Sequence, residues 1–233
     1  MSYSLKEASD EQKFVIDNIE QQNMIVDSVA GSGKTTTVMH IAKKYFRDQI
    51  LLLTYNSKLK AESRQKVRQL GLTNIEVHSY HAFACKYYDP KCFVDKQIQI
   101  VVNRNNPPRY KFDYKYIILD ESQDITPLLY SLIHKIIKDN QTPNAQMCVL
   151  GDEHQSIFDY NGADYRFITL ADKLFNINKN KWIRTKLTIS FRLTDANANF
   201  INKCVLRKDK IKSIKRGPVP RYTFVHSMFD YLL

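Results

Sequence analysis

Six short stretches, Met24 to Val29, Ile50 to Thr54, Asn74 to His78, Tyr116 to Asp120, Met147 to Gly151 and Thr185 to Ser190, constrain this chain more than any other feature. Each is nearly continuous in apolar character and is followed by a longer segment with helical spacing. A strand with one wet face alternates apolar and polar side chains. A strand that is apolar throughout must be covered on both faces, as in a parallel sheet with helices above and below it. The expected fold is therefore α/β, a mostly parallel sheet with helices on both faces. Polar punctuation at Asn103 to Pro108 and Asp139 to Asn144 predicts surface loops.

Composition sets the outer limits. With 43% hydrophobic residues in 233, the chain can bury a core, and six glycines and seven prolines exclude collagen-like or low-complexity structure. Uninterrupted apolar runs such as Ile50 to Leu53 are four residues long, against the roughly 18 that a membrane helix needs, so no membrane partner is expected. The N-terminal MSYSLKEASDEQ has no apolar signal region; the expectation is an intracellular protein, in cytoplasm, nucleus or at a site of viral replication. Cys85, Cys92, Cys148 and Cys204 form no CxxC pair and read as free thiols. A net charge of +11 favours polyanionic partners, because binding phosphates releases condensed counterions. Lys203 to Arg216, with seven basic residues and one acid, carries more than half of that excess. Such a run is either a solvated helix end and loop or a phosphate-contacting surface.

Chemistry concentrates first at Ala30-Gly31-Ser32-Gly33-Lys34-Thr35-Thr36, between the strand Met24 to Val29 and a helix through Val38, Ile41 and Tyr45. Glycines let a loop wrap closely, backbone N–H groups and the helix N-terminus point at phosphate oxygens, and Lys34 adds positive charge for the β and γ phosphates. Thr35 is placed to ligate Mg²⁺. The strict pattern GxxxxGK[ST] would place Gly where this chain has Ser28. A second carboxylate follows at the end of the strand Tyr116 to Leu119: Asp120 would hold the Mg²⁺ shell and Glu121 would polarise the attacking water.

Asp120-Glu121-Ser122-Gln123-Asp124 resembles the DExQD box of UvrD/Rep-like superfamily 1 DNA helicases, and five further matches are spread in order over the chain. Gln12 is similar to the family's adenine-reading Q motif. Thr54-Tyr55-Asn56-Ser57-Lys58 and Ser79-Tyr80-His81-Ala82-Phe83 resemble two elements on the side of single-stranded DNA. Gly151-Asp152-Glu153-His154-Gln155-Ser156-Ile157-Phe158 is similar to GDxxQSIY, whose Gln senses the γ-phosphate, and Ser190-Phe191-Arg192 to the motif carrying an arginine finger.

The resemblance implies a RecA-like P-loop NTPase domain over 1–180, its inserted helical subdomain reduced to a vestige because only 32 residues separate Phe83 from Tyr116. It implies an incomplete start of a second RecA-like domain over 181–233. It implies ATP and Mg²⁺ as cofactors and catalytic roles for Lys34, Asp120, Glu121, Gln155 and Arg192. Nucleotide contacts fall on Gln12 and Ala30 to Thr36, and metal ligation on Thr35 and Asp120. DNA contacts fall on Thr54, Tyr55, Asn56, Tyr80, His81, Phe83, Phe158 and Tyr160, with Tyr160 as the main stacking candidate. The expected function is ATP hydrolysis coupled to movement on single-stranded DNA, as in DNA repair or replication, by a monomer. No stretch resembles the family's motifs V and VI, so a separate C-terminal helicase half is a candidate partner, and a non-catalytic nucleotide- and DNA-binding module is the alternative. Guanine-reading NKxD is absent, which speaks against a GTPase.

Overall fold

The computed structural model describes residues 4–155 and 162–221. The chain divides into two compact units, Met1–Ser28 with Gly33–Leu187, and Val29–Ser32 with Thr188–Leu233.

The first unit holds a six-stranded sheet formed by β1 (Asn23–Ser28), β2 (Ile50–Thr54), β3 (Ile75–Ser79), β4 (Tyr116–Leu119), β5 (Gln146–Gly151) and β6 (Trp182–Leu187). Its order is β3-β2-β4-β5-β1-β6 and every pairing is parallel. The continuous apolar character of the strands has the cause expected from sequence. On one face Ile25, Leu51, Leu53, Ile117, Leu119, Met147 and Val149 join a core closed by α4 (Tyr80–Tyr87), α5 (Asp95–Asn103) and α6 (Pro127–Asp139). On the other, Met24, Val26, Ile50, Leu52, Tyr116, Ile118, Cys148 and Leu150 meet α1 (Asp10–Asn18) and α2 (Lys34–Lys44). Successive residues of one strand thus enter opposite cores.

Local sequence starts the helices. Ser9 and Gln12 make a reciprocal capping box on α1, Asn56 caps α3 (Ser57–Gln69), Ser79 caps α4, and Thr126 with Pro127 opens α6. Two short helices, α7 (Arg166–Thr169) and α8 (Ala171–Leu174), precede β6. Among the described residues no helix is long and apolar enough to cross a membrane.

The second unit contains β7 (Ile189–Thr194), paired in parallel with β8 (Lys212–Lys215), and α9 (Asp195–Phe200), which continues into a π-type turn at Ile201–Leu206. Val29, Ala198 and Ile211 form its small core. Buried Asn202 organises the basic loop: its Nδ2 donates to Ile211 O at 2.8 Å, and its Oδ1 accepts from Lys210 N and Ile211 N at 3.2 and 3.0 Å.

One expectation is corrected here. The run Thr185 to Ser190 is two strands that part at Thr188. Trp182 to Leu187 pairs residue by residue with β1, within the first compact unit. The apolar pattern is nearly the same on both sides of Thr188, and only the hydrogen-bonding partners distinguish the two strands.

Candidate nucleotide site

Ser28, the last residue of β1, is fully buried, and its Oγ donates to Gly151 O at 2.8 Å. The residue that departs from the strict glycine pattern thus ties the end of β1 to the end of β5. Gly33 begins α2 at φ 84°, a left-handed conformation that strains any side chain, and its carbonyl accepts from Thr37 N at 2.9 Å and Thr37 Oγ1 at 3.1 Å. No acid occupies the first turn of α2, which leaves the positive end of the helix to an incoming anion. Lys34, Thr35 and Thr36 lie half-buried on that turn.

Ala30, Gly31 and Ser32 cluster with the second unit. Within it, Ser190 Oγ donates to Ala30 O at 2.7 Å and Phe191 N to Gly31 O at 2.9 Å. Gly31 lies at φ +73°, and a Cβ there would come within 2.4 Å of Arg192 Cβ. Arg192 is exposed, its N–H donates to Ser190 Oγ at 3.3 Å, and its guanidinium makes no ion pair among the described residues.

At the end of β4 the Asp120 N–H donates to Leu53 O at 2.9 Å. The Asp120 carboxyl is 3% exposed and is held above the ordinary carboxylate range, first by burial and then by the charge of Glu121. Glu121 adopts φ 52°, a left-handed backbone uncommon for a residue with a Cβ. Lys34 Nζ lies 3.1 Å from Glu121 Oε2, with the two side chains 11% and 19% exposed. The same Oε2 accepts from Gln123 Nε2 at 3.0 Å.

Gln155 sits in the 3₁₀ turn Glu153–Gln155 just after β5. Its Nε2 donates to Asp152 Oδ2 at 2.7 Å and its N–H to Asp152 O at 2.9 Å. Asp152 N in turn donates to Gln123 Oε1 at 3.2 Å. Gln12 is 2% exposed; its Oε1 accepts from Ser9 N at 3.0 Å and its Nε2 donates to Gly33 O at 3.4 Å. The first unit therefore brings Gln12, Gly33, Lys34, Asp120, Glu121 and Gln155 to the C-terminal ends of the central strands, where ligands bind in open parallel sheets. Gln123, Asp152 and Ser28 carry no functional role in the sequence pattern alone. The signal for Gln123 was its place in the DExQD box, two residues after the paired acids.

Several residues expected at DNA are placed otherwise. Phe83 is fully buried, with its ring packed on Tyr87 and Phe112 at centroid separations of 4.5 and 5.4 Å, and Tyr80 is 1% exposed. Thr54 is fully buried as well. Neither aromatic offers a face to a base, because α4 turns its aromatic side into the core, and Thr54 is enclosed at the end of β2. His81 is partly exposed and hydrogen-bonded to Asp95 Oδ1 at 2.8 Å. Asn56 is exposed, but its Oδ1 accepts from Leu59 N as the cap of α3. Tyr55 is half-buried against the core. Phe158 and Tyr160 lie outside the described residues.

A family model described as an AAA domain, AAA_19, matches residues 11–161. An F-box DNA helicase protein 1 of Schizosaccharomyces pombe is 33% identical over 92 residues, 38% of this chain and 9% of that protein. A Bacillus subtilis protein named putative ATP-dependent DNA helicase YjcD is 37% identical over 60 residues, 26% of this chain and 7% of that protein. Among solved structures, Bacteroides Pif1 bound to single-stranded DNA aligns with a TM-score of 0.50 at 17% identity, covering 89% of this chain and 47% of that one. That likeness is one of fold. The matched segments span less than a tenth of these curated relatives.

Proposed function

The chain belongs to the AAA-domain family AAA_19, and from that membership we propose that it is the ATP-binding part of a UvrD/Rep-like superfamily 1 DNA helicase, hydrolysing ATP to move along single-stranded DNA. The observation that carries this reading is the Lys34–Glu121 pair at 3.1 Å beside buried Asp120, at the C-terminal ends of parallel strands.

Binding ATP requires Lys34 to exchange the Glu121 carboxylate for phosphate oxygens, while the N-terminus of α2 and Gly33 receive the remaining phosphate charge. Release from Lys34 leaves Glu121 as an unpaired carboxylate held by Gln123, suited to accept a proton from the attacking water. As that proton leaves, the water oxygen bonds to the γ-phosphorus and the bond to the ADP oxygen breaks. Gln155 is assigned the sensing of γ-phosphate and Arg192 the neutralisation of charge on the transferred group. Gln12 is assigned to adenine, which it would contact by exchanging one of its present amide bonds.

The donor set suits Mg²⁺. A hydroxyl and a carboxylate are hard oxygen ligands, and the buried Asp120 carboxyl, unfavourable as an anion, is stabilised by a divalent cation. Thr35 and Asp120 would hold the ion, which supplies neutralisation of phosphate charge.

For DNA, exposed Asn56, partly exposed His81 and Tyr55, and the positive charge of the chain support the reading. The test measures ATP turnover with and without single-stranded DNA, alongside fluorescent-nucleotide binding. DNA-stimulated turnover that vanishes in Lys34→Ala is expected. Saturable binding of nucleotide and DNA with no turnover would instead mark a non-catalytic module, and no nucleotide binding would overturn the proposal.

A further inference from the structure

Gln123 is 2% exposed and makes two hydrogen bonds that together fix which way its amide points. Its Oε1 accepts from the N–H of Asp152 at 3.2 Å, so its Nε2 is the end that donates to Glu121 Oε2, at 3.0 Å. An amide has one acceptor end and one donor end, and a backbone N–H can satisfy only the first. The enclosure is tight. A Cβ on Gly151 would stand 2.6 Å from Gln123 Oε1 and 3.2 Å from Ser122 N, so a larger residue at the strand end would push the amide aside. On the far side, Asp152 Oδ2 accepts from Gln155 Nε2 at 2.7 Å and its Oδ1 from His154 N at 3.1 Å. Lys34, Glu121, Gln123, Asp152 and Gln155 thus form one continuous chain of polar contacts within the first unit.

We propose that Gln123 is a positioning residue that orients the Glu121 carboxylate and ties it to the backbone of Asp152, so that Glu121 and the Glu153–Gln155 turn shift together. Glu121 sits on a left-handed backbone and therefore relies on its surroundings to keep its orientation. When Lys34 leaves for phosphate, the Gln123 donor is the contact that still aims the carboxylate. A change at Glu121 pulls on the Asp152 N–H through a single rigid amide, and Asp152 holds Gln155. The inference deepens the ATPase reading and rests on it for the word phosphate, whereas the contacts themselves do not.

The test uses the full chain, labelled for NMR, with Gln123→Met and Gln123→Glu. Met keeps the volume and removes both bonds; Glu keeps an acceptor for Asp152 N and removes the donor to Glu121, so one variant survives if the other folds poorly. Glu121→Gln should move the Asp152 backbone amide resonance in the wild-type background and leave it in place with Met at position 123. A resonance that moves equally in both backgrounds, or in neither, overturns the proposal. In turnover, both Gln123 variants should keep nucleotide affinity within about twofold and lose kcat by about tenfold or more, since misplacing a reacting group by an ångström costs on the order of 100-fold. Full kcat in a Gln123 variant, with Glu121→Gln inactive, overturns the positioning role while the ATPase reading stands. Mg-ATP that leaves the Gly33 and Lys34 amides unmoved overturns the ATPase reading and leaves the Glu121–Asp152 coupling to be judged on its own resonance.

Discussion

Lys34 Nζ and Glu121 Oε2 stand 3.1 Å apart although 86 residues separate them in sequence. Both side chains are largely withdrawn from water, where an ion pair exerts its full attraction and losing one member leaves the other charge poorly solvated. On the proposed reading the pair occupies the atoms that nucleotide binding needs, so nucleotide would displace it. Glu121→Gln should therefore bind ATP at least as tightly as wild type, since Lys34 is no longer held, while turnover falls by about 10²- to 10⁴-fold. Lys34→Ala should lose about 10- to 100-fold in affinity, the worth of a charged hydrogen bond. Nucleotide titration and steady-state hydrolysis on the same preparations check both.

Burial makes the ionised form of the Asp120 carboxyl unfavourable. Its carboxyl titrates above the ordinary range, so its contribution to stability is full below the unfolded value of about 4 and is lost as the pH rises through the folded value. Asp120→Asn should raise the melting temperature of the metal-free protein at pH 8 by about 2–4 °C for each kcal/mol recovered, and flatten its dependence between pH 5 and about pH 8. The same variant should lose the Mg²⁺-dependent part of nucleotide binding. Scanning calorimetry in chelator and with Mg-ATP separates the two effects.

Glu76 behaves in the opposite sense. Hydrogen bonds from His78 and then from Lys86 hold its carboxyl down to about 2, against burial. Its stabilisation is present above the unfolded value of 4.5 and disappears as the pH falls toward 2. Glu76→Gln should be less stable at pH 7 and should show a shallower loss of stability from pH 5 to about pH 2, followed by urea denaturation across that range.

Phe83 tests the corrected DNA assignment. Its ring lies among Tyr87, Tyr88, Phe112 and Tyr114 and is fully buried. Phe83→Ala should cost about 3–5 kcal/mol of stability. Phe83→Leu, which keeps more of the volume, should bind single-stranded DNA as wild type does. A stacking residue would instead lose about 1–3 kcal/mol of binding, which fluorescence anisotropy resolves.

In the second unit, Asn202→Ala should cost about 1–3 kcal/mol by leaving the Ile211 carbonyl and the Lys210 and Ile211 N–H groups without their partner. Hydrogen exchange should accelerate over residues 207–213 and stay unchanged in β1 to β5.

The sequence by itself determined the parallel sheet, because strands such as Ile50 to Thr54, apolar at every position, have no stable place except between two cores. It also determined where Lys34, Asp120, Glu121 and Gln155 fall, since each sits at the end of one of those strands or at the start of the helix after it. Helix starts at Ser9, Asn56, Ser79 and Thr126 were written locally in capping residues. What tertiary structure alone decided concerns direction and partnership. Phe83 and Tyr80 sit in a motif that resembles a DNA-side element, yet helix rotation turns them into the core. Trp182 to Leu187 and Ile189 to Thr194 read as one run, and pairing separates them. Gln123 looked like a passive letter in its box until the fold set Asp152 beside it. Motif spacing records where side chains start along the chain, whereas the face they turn and the atom they meet depend on contacts between segments far apart in sequence.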